Sequence, residues 1–387
     1  MGETDLIKVA EPCVGEEELA GLKEVLFSGR YLQGPKVKEF ENKFADYCTT
    51  KYAIATNSGT AALHLALASY GVGPGDEVIV PALTFFSTAT SVIHQNAIPI
   101  FADIDLETYT IEVEDLEKRI TDKTKAIIPV HLYGHPAEME EINKIAEEHD
   151  LVVIEDCAQA HGAEYKGKKV GAIGDCGCFS FFATKNITTA EGGIITTDNK
   201  KIVEEAKKIR SHGMIDRDNH SVLGYNYRMN EFEASMGLVQ LKKLDKFNSN
   251  RKENSLYLYE NLKDIKWLKI PNIKPYVEHA FFWCPIQIDE EKLGMSTKHL
   301  REQLMEEGVE TRHRYNSPLN MQKMLLDKNA YPRGCPFSCP FYGKKIDYSS
   351  FSYLNAKNIA GKMLGLPNHP KLKKEDLTKI IQVLHKI

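Results

Sequence analysis

Short apolar runs alternate with amphipathic segments through the first half of the chain. Runs of mostly apolar residues, typical of strands buried on both faces of a parallel sheet, occupy residues 52–55, 77–80, 98–101, 126–130 and 151–154. Segments with apolar residues at helical spacing separate them, as at residues 138–146. Strands that alternate with helices in this way predict an α/β fold with a doubly wound, mostly parallel sheet.

Two helices are predicted before the first of these strands. The glutamates at residues 16–18 favour a helix N-terminus, and Gly29 favours the end of that helix. The predicted apolar face of this helix consists of Leu19, Leu22, Val25 and Leu26. A second helix is predicted from the helical spacing of Val37, Phe40, Phe44 and Tyr47.

The second half of the chain predicts a smaller unit. At 387 residues the chain exceeds the size at which one hydrophobic core usually stops growing, so we expect two domains. A long helix begins near Asn230, and the charged residues 245–254 that follow are interpreted as a hinge. We therefore predict a large domain over residues 1–250 and a smaller C-terminal α+β domain over residues 251–387.

Composition argues against several classes of partner. The chain is 42% hydrophobic and 27% charged, with a formal net charge of −5, as in an ordinary globular protein. Its lysines are scattered among glutamates rather than collected in a basic stripe, which argues against nucleic acid as a partner. No apolar run approaches the ~20 residues of a membrane span, so no membrane partner is expected. Residues 1–5 are acidic and lack the apolar core of a signal peptide, which predicts a cytoplasmic location.

Lys185 is the first candidate for catalysis. It stands among hydroxyl, small and apolar residues in segment 179–193, with no second basic residue nearby. A lysine desolvated in this way is partly deprotonated near neutral pH and can attack a carbonyl carbon. The alternative is a solvated surface lysine, the usual situation for this residue type.

Asp156 follows the apolar run of the fifth predicted strand. A carboxylate at the carboxyl end of a buried parallel strand faces the crevice in which open α/β sheets bind ligands. Together with Lys185 it indicates pyridoxal phosphate, which needs an amine on its aldehyde carbon and an acid against its ring nitrogen. A helix N-cap is the alternative role for Asp156.

The turn formed by Ser58, Gly59 and Thr60 lies between the first predicted strand and a helix rich in alanine and leucine. Backbone N–H groups at a helix N-terminus bind phosphate, and a glycine permits close approach of the ligand. Taken alone, the turn is about equally well interpreted as a plain helix cap.

These motifs, in this order, resemble the DegT/DnrJ/EryC1/StrS family of pyridoxal-phosphate-dependent sugar aminotransferases, which have fold type I. The resemblance extends over nearly the whole chain, in segments 28–35, 57–64, 154–162, 179–193, 224–230 and 364–370. It implies transfer of an amino group, with glutamate as the expected donor, to a nucleotide-linked keto-sugar in amino-sugar or surface polysaccharide biosynthesis. It also implies a homodimer with shared active sites.

The resemblance assigns roles around the cofactor ring. Lys185 occupies the position that forms the Schiff base with pyridoxal phosphate and later moves a proton. Asp156 occupies the position that pairs with the protonated ring nitrogen, and Gln159 the position that hydrogen-bonds the phenolic oxygen. Phe85 falls where the family places an aromatic ring stacked on the cofactor, with a core aromatic as the alternative.

The resemblance also assigns phosphate and substrate contacts. Ser180 matches a hydroxyl that binds the same phosphate as the Ser58 turn. Asn226 matches a phosphate ligand that the neighbouring subunit supplies in this family. Further candidates on the substrate side are Tyr31, Tyr133, His161, Tyr227 and Arg228.

Two features depart from the family pattern. Ala190 stands where a glycine usually precedes Glu-Gly-Gly, and its methyl group fits only if φ there is negative. Cys335 and Cys339 lie in an unusual segment, which we interpret as an insertion near the sugar pocket with its cysteines free or disulfide-linked. No second Cys/His pair with ligand spacing accompanies them, so no metal site is predicted.

Several alternative functions remain at this point. A deoxysugar dehydratase of the same fold would carry His at the position of Lys185, so the sequence disfavours it. An aminocyclitol aminotransferase is a further alternative. A regulatory member without catalysis is disfavoured by the intact set of Lys185, Asp156 and Gln159.

Overall fold

The computed structural model describes residues 6–387, and residues 1–5, on which the signal-peptide expectation was based, lie outside the described residues. The helices are α1 Glu16–Ser28, α2 Pro35–Cys48, α3 Gly59–Ser69, α4 Ser87–His94, α5 Val113–Lys118, α6 Met139–Glu148, α7 Lys200–Arg210, α8 Glu231–Leu262, α9 Glu290–Leu293, α10 Thr297–Glu306, α11 Lys323–Leu326, α12 Leu354–Ile359 and α13 Lys374–Lys386. The strands are β1 Tyr52–Thr56, β2 Glu77–Pro81, β3 Ile98–Ala102, β4 Thr124–Ile127, β5 Val152–Asp156, β6 Glu164–Tyr165, β7 Lys168–Lys169, β8 Cys176–Ser180, β9 Gly193–Thr197, β10 Leu268–Lys269, β11 Val277–Glu278, β12 Cys284–Ile288 and β13 Met363–Leu366. Within residues 6–387, none of these helices has both the length and the apolar character needed to cross a bilayer.

Seven strands form the central sheet, in the order β1-β9-β8-β5-β4-β2-β3. The five strands from β8 to β3 run parallel, and β9 lies antiparallel to both β8 and β1. Alternate residues of a strand pack into the apolar cores on the two faces of the sheet: in β2, Val78 and Val80 pack on one face and Ile79 on the other. The predicted α/β fold with a doubly wound, mostly parallel sheet is therefore confirmed, and its first five predicted strands are β1 to β5.

The apolar face predicted for α1 is only partly buried. Val25 is 3% exposed, whereas Leu19 and Leu26 are 57% and 55% exposed. The reason is that α1 packs against α8 through Gly21, where an added Cβ would lie 2.6 Å from the Ser235 Oγ. This packing leaves an exposed apolar strip, the α1 patch, which consists of Leu19, Leu26, Phe27, Tyr31 and Leu32.

The C-terminal part has a core of its own. Its main strands, β10, β12 and β13, form a three-stranded antiparallel sheet. Leu258 and Leu262, near the end of α8, pack with this sheet and with α13. This second core supports the division into two domains, which we keep as a proposal because α8 runs through the boundary between residues 250 and 251.

Residues 245–254, interpreted above as a hinge, are helical. They lie in the middle of α8, which extends without a break from Glu231 to Leu262. Asn230 caps this helix, since its side chain accepts the Glu233 N–H while the Glu233 side chain accepts the Asn230 N–H. The charged residues do not interrupt the helix because lysine, arginine and glutamate are themselves good helix formers.

The cysteine segment, residues 331–341, does not lie at the carboxyl edge of the sheet, where we expected it. The aromatic residues that follow it bind the amino ends of strands: the Tyr342 hydroxyl donates to Glu77 (2.8 Å) and the Tyr348 hydroxyl donates to the Pro99 carbonyl (2.9 Å). Cys335 and Cys339 are both free thiols. The segment covers the β2–β3 side of the sheet at the end opposite the carboxyl edge, because its aromatic side chains fill the core there.

A buried ion pair attaches helices to the sheet edge. Arg210, at the end of α7, donates to Glu41 of α2 at 2.7 Å and to the Ala55 carbonyl of β1 at 2.7 Å. Glu41 also accepts the Ala55 N–H at 2.9 Å. Arg210 and Glu41 are both buried. The pair therefore holds α2 and α7 on the edge strand β1, from which the chain enters the Ser58 turn.

Replacing Arg210 by methionine should lower the free energy of unfolding by about 3–5 kcal/mol, because Glu41 would remain buried without its partner. Lys208→Met, which removes the half-exposed Lys208–Glu205 pair of the same helix, should cost less than about 1 kcal/mol. Urea unfolding followed by circular dichroism measures both. Equal losses in the two variants would contradict the importance of the buried pair.

Candidate active site

Asp156 ends β5 at the carboxyl edge of the sheet. Its side chain is almost fully buried, and it accepts hydrogen bonds from the Thr88 hydroxyl at 2.8 Å and the Ala158 N–H at 3.1 Å. Burial raises the pKa of Asp156 above its ordinary value, and these hydrogen bonds and the charge of Lys185 act in the opposite direction. The carboxylate is thus fixed in place by α4 and by the turn that follows β5.

Glu155 points to the opposite face of the sheet, as strand alternation requires. Its carboxylate accepts three N–H groups of loop 171–174 and the Nε2–H of His131 at 3.0 Å. The other ring nitrogen of His131 accepts the Ala137 N–H at 3.0 Å. Cys157 completes a buried group whose ligand-type atoms lie within 4.8 Å of one another. Because Glu155 and His131 are already hydrogen-bonded, we interpret this group as a support for the loop rather than a metal site.

Lys185 lies in the loop between β8 and β9, on the same edge as Asp156. Burial lowers the pKa of Lys185 to about 8; Asp156 raises it, while Arg312 and Arg314 lower it. Its Nζ lies 4.7 Å from the centroid of the Phe282 ring. The amine is therefore deprotonated near neutral pH in a far larger fraction of molecules than an ordinary lysine, which favours its action as a nucleophile or base.

A cavity of about 280 Å³ lies between these two groups. All the residues predicted to hold the cofactor line it except Asn226; they are Ser58, Gly59, Thr60, Phe85, Asp156, Gln159, Ser180 and Lys185. Ser58 and Lys185, which are 127 positions apart in the sequence, thus both line this cavity at one edge of the sheet.

One end of the cavity is the N-terminus of α3. Ser58 caps this helix by accepting the Ala61 N–H at 3.1 Å, whereas the N–H groups of Gly59 and Thr60 have no acceptor within the helix. A Cβ at Gly59 would lie 2.6 Å from the Ser180 Cβ, so only glycine allows β8 and α3 to approach this closely. Free N–H groups, two hydroxyls and the helix dipole form a cradle that fits a phosphate.

Gln159 and Phe85, the other two residues assigned to the cofactor ring, also border the cavity. The Gln159 side chain accepts a hydrogen bond from the Tyr133 N–H at 2.9 Å and donates one to the Tyr315 hydroxyl at 3.1 Å. Phe85 is 52% exposed and borders the cavity, so it is not a core aromatic. Its free face suits stacking on a planar ring.

Asn226 lies beside the cradle without lining the cavity. Its carbonyl accepts from the Asn57 side chain at 3.3 Å, and the Asn57 N–H donates to the Tyr227 carbonyl at 2.9 Å. The Asn226 side chain itself is exposed. Tyr227 points away from the cavity, with its hydroxyl 2.9 Å from the Nδ1 of His64.

The other substrate candidates are not brought to the cavity. Tyr133 is buried behind it, stacked on Trp283 at a centroid distance of 5.0 Å. His161 is buried against Phe179 and Phe181, and burial lowers its pKa to about 3. Tyr31 stacks on Phe232 and belongs to the α1 patch, and Arg228 pairs through its backbone with Thr56. Roles for these residues in substrate binding stay predictions.

Sequence reasoning missed the wall of the cavity opposite the cradle. This wall is formed by Phe282, Trp283, Arg312, Arg314 and Tyr315, all from the C-terminal part of the chain. The sequence offered one signal for this wall: within residues 311–315, two arginines stand two positions apart after an amphipathic helix, as on one face of a strand. This pattern is too short to distinguish a strand that lines a cavity from a strand exposed to solvent.

A lysine amine and a buried carboxylate on opposite sides of a cavity, with a phosphate cradle at one end, define a pyridoxal-phosphate site of fold type I. The chain matches the profile of the DegT/DnrJ/EryC1/StrS aminotransferase family over residues 12–385. It therefore belongs to this family and is a pyridoxal-phosphate-dependent aminotransferase.

Relatives and solved structures agree with this assignment. GDP-perosamine synthase of Caulobacter vibrioides is 38% identical over 92% of this chain and 90% of its own length. The spore coat polysaccharide biosynthesis protein SpsC of Bacillus subtilis is 36% identical over 97% of this chain and 95% of its own length. The crystal structure of S. venezuelae DesV in complex with a ketimine intermediate superposes with a TM-score of 0.85 and 31% identity, covering 96% of this chain and 94% of that one.

Ala190 lies in the lysine loop, the segment between β8 and β9 that carries Lys185. It does not have the negative φ that its methyl group was expected to require. Its φ is +70°, in the left-handed region that favours glycine. The Ala190 N–H donates to the Thr188 hydroxyl at 2.9 Å, and that hydroxyl donates to the Phe181 carbonyl at 3.1 Å. These hydrogen bonds hold the residue in a conformation that costs a non-glycine residue about 1–2 kcal/mol.

Ala190→Gly should therefore raise the free energy of unfolding by up to about 1 kcal/mol, since relief of the strain exceeds the added entropy of the unfolded chain. Ala172→Gly is the matched control: Ala172 is also in a loop but lacks a positive φ, so the change should destabilise by about 0.4–1 kcal/mol. Urea unfolding of both variants measures the difference. A loss of stability in Ala190→Gly as large as in the control would contradict the strain.

Proposed function

We propose that this aminotransferase transfers an amino group from glutamate to a nucleotide-linked keto-sugar, in the synthesis of amino sugars for surface polysaccharides. The observation that carries the proposal is the meeting of Lys185 and Asp156 across a cavity that opens into a larger cleft. The activities named for its relatives, a GDP-perosamine synthase and a spore coat polysaccharide protein, support the same class of substrate.

Each residue of the inner cavity has a task in this proposal. Pyridoxal phosphate, when bound, supplies an electron sink next to the substrate carbon that exchanges its amino group. Asp156 keeps the ring nitrogen protonated, and the α3 cradle with Ser180 holds the phosphate. Lys185 would hold the aldehyde carbon of the cofactor, and its free amine would carry the proton at the substrate carbon; a positioned base of this kind contributes about 10²–10⁴ in rate.

The outer cleft suits the nucleotide part of such a substrate. It has a volume of about 710 Å³ and shares Phe85, Arg312, Arg314 and Tyr315 with the inner cavity. Arg301 and Arg314 border it, and no carboxylate of residues 6–387 lies within ion-pair distance of either guanidinium. Cationic groups without counterions at the mouth of the site favour a diphosphate.

The test is a two-stage assay on the purified protein. Glutamate should convert the cofactor to its amino form, and a matching nucleotide-linked keto-sugar should restore the original absorbance. Lys185→Ala should fail at both stages, and borohydride reduction of the wild type should attach the cofactor to Lys185 alone. Return of absorbance with a keto-cyclitol instead would establish the aminocyclitol alternative, and no exchange with any donor or acceptor would support a regulatory protein.

The proposal includes a homodimer whose active sites are shared. The α1 patch exposes five large apolar residues within the short stretch 19–32, more than scattered surface positions explain. Tyr31 of this patch lies near the start of α8, since its carbonyl accepts the Glu231 N–H at 3.1 Å. A second copy on this side would cover the patch, and the exposed Asn226 side chain would be free to reach the partner's phosphate cradle.

Subunits carrying Lys185→Ala and Asn226→Ala should complement each other. A mixed dimer has one site with both defects and one intact site, so random pairing should restore up to about a quarter of wild-type activity. Mixing Lys185→Ala with Asp156→Ala is the control, because both residues belong to the same subunit's site and no intact site can form. A fully active monomer, or equal activity in both mixtures, would contradict the shared site. If the Asn226→Ala variant alone stays active, the retention of the cofactor at limiting pyridoxal phosphate is measured instead.

A further inference from the structure

His64, in the middle of α3, contacts two tyrosines of residues 225–228, which we call the Asn226 segment. Its ring lies 4.9 Å from that of Tyr225 and 5.7 Å from that of Tyr227, measured between centroids. The two tyrosine rings stack on each other at 4.9 Å, with an interplanar angle of 9°. His64 is buried and lines neither the inner cavity nor the outer cleft. Its ring therefore supports the Asn226 segment rather than contacting a ligand.

The direction of the hydrogen bond between His64 and Tyr227 follows from the second ring nitrogen. The side-chain nitrogen of Gln95, which can only donate, faces the Nε2 of His64. Nε2 therefore accepts, the proton is on Nδ1, and Nδ1–H donates to the Tyr227 hydroxyl, 2.9 Å away. Burial, together with the nearby His94, lowers the pKa of His64 to about 4, so the ring is neutral near neutral pH. His64 thus offers Tyr227 one fixed donor.

The backbone of the Asn226 segment is extended and is held from two sides. The Tyr225 N–H donates to the Ile209 carbonyl at 2.7 Å, and the Tyr227 carbonyl accepts the Asn57 N–H at 2.9 Å. Bridge pairs at residues 226 and 228 show the extended conformation. Successive side chains of such a segment point to opposite sides. Because both tyrosines face α3, the Asn226 side chain between them points away from this helix, and it is exposed.

We infer that His64 is a positioning residue for the active site of the other subunit. It holds Tyr227 against α3, and this contact directs Asn226 outward to the partner's phosphate cradle. The inference rests on the proposed function in one respect, that Asn226 is a phosphate ligand of a shared site.

α3 offers two routes by which a change at His64 would weaken phosphate binding. The first is within the subunit, because the cradle of this subunit lies at the N-terminus of the same helix, at Ser58. The second passes through Tyr227 to Asn226 and hence to the partner. The two routes affect different sites of a mixed dimer, so an experiment can separate them.

The test measures binding of pyridoxal phosphate to the apoenzyme, by the visible absorbance that the cofactor acquires on reaction with Lys185. His64→Leu removes the donor and should weaken binding about 3- to 10-fold, the range expected for one lost hydrogen bond. The titration is repeated after subunit exchange with an excess of Lys185→Ala subunits, which cannot give this absorbance. Nearly every His64→Leu subunit then has a partner with an intact Asn226 segment, so its affinity should return to the wild-type value.

Further variants identify the contact responsible. His64→Asn places an amide N–H near the position of Nδ1 and should bind the cofactor as the wild type does. His94→Leu removes the histidine that lies edge-on to His64, 5.2 Å away between ring centroids, and should leave binding unchanged. The double variant His64→Leu/Asn226→Ala should bind no more weakly than Asn226→Ala alone, since His64 acts through Asn226. Tyr227→Phe removes only the acceptor hydroxyl, and it takes the place of His64→Leu in every titration if that variant does not fold.

The other outcomes overturn the inference. Wild-type affinity of His64→Leu alone would show that the hydrogen bond does not position Asn226. Weak binding that persists in excess Lys185→Ala would place the defect in α3 of the same subunit. Asn226→Ala, titrated in the same excess, distinguishes the inference from the proposed function: if it recovers and His64→Leu does not, only the role of His64 is wrong. If Asn226→Ala does not recover, the shared active site is wrong, and the role of His64 falls with it.

Discussion

β5 and β8 lie side by side and run parallel, with Ile154 opposite Cys176 and Asp156 opposite Cys178. Because both strands end at the same edge, the carboxylate that ends β5 and the loop that follows β8 must meet there. β9 returns antiparallel to β8, which keeps both ends of the lysine loop at this edge. The same edge receives the N-terminus of α3 from β1, the neighbour of β9. The positions of amine, carboxylate and phosphate cradle all follow from this strand order.

Features encoded by contiguous residues could be predicted from the sequence. The strands β1, β2, β3 and β5 consist mostly of apolar residues, and their burial on both faces leaves a strong signal. The strand β4 shares only residues 126 and 127 with its predicted run, because it begins at Thr124 and ends at Ile127. Asp156 ends β5, the Ser58 turn begins α3, and Lys185 lies in the loop that follows β8, so the fold places all three at one edge of the sheet by their sequence positions. Because the α/β fold was predicted correctly, it could also be predicted that these groups meet in one cavity.

Features that depend on packing between distant segments could not be predicted. The exposure of Leu19 and Leu26 results from the contact of Gly21 with Ser235, more than 200 positions away. The same holds for Arg312, whose surroundings are the rings of Phe282 and Trp283, directly before β12, and Lys185, which precedes Phe282 in the sequence. The positive φ of Ala190 is imposed by hydrogen bonds across the loop, which outweigh the preference of alanine. Local sequence carries little information on any of these contacts.

The inner cavity carries charges of both signs. Asp156, Lys185, Glu191, Arg312 and Arg314 all line it, and the Phe282 ring contacts both Lys185 and Arg312. Burial and the charge of Arg312 lower the pKa of Lys185, so the free amine is available when the cofactor aldehyde must be captured. The pKa of Lys185 thus reflects a balance: burial and the two arginines of the cavity lower it, while the neighbouring charge of Asp156 raises it.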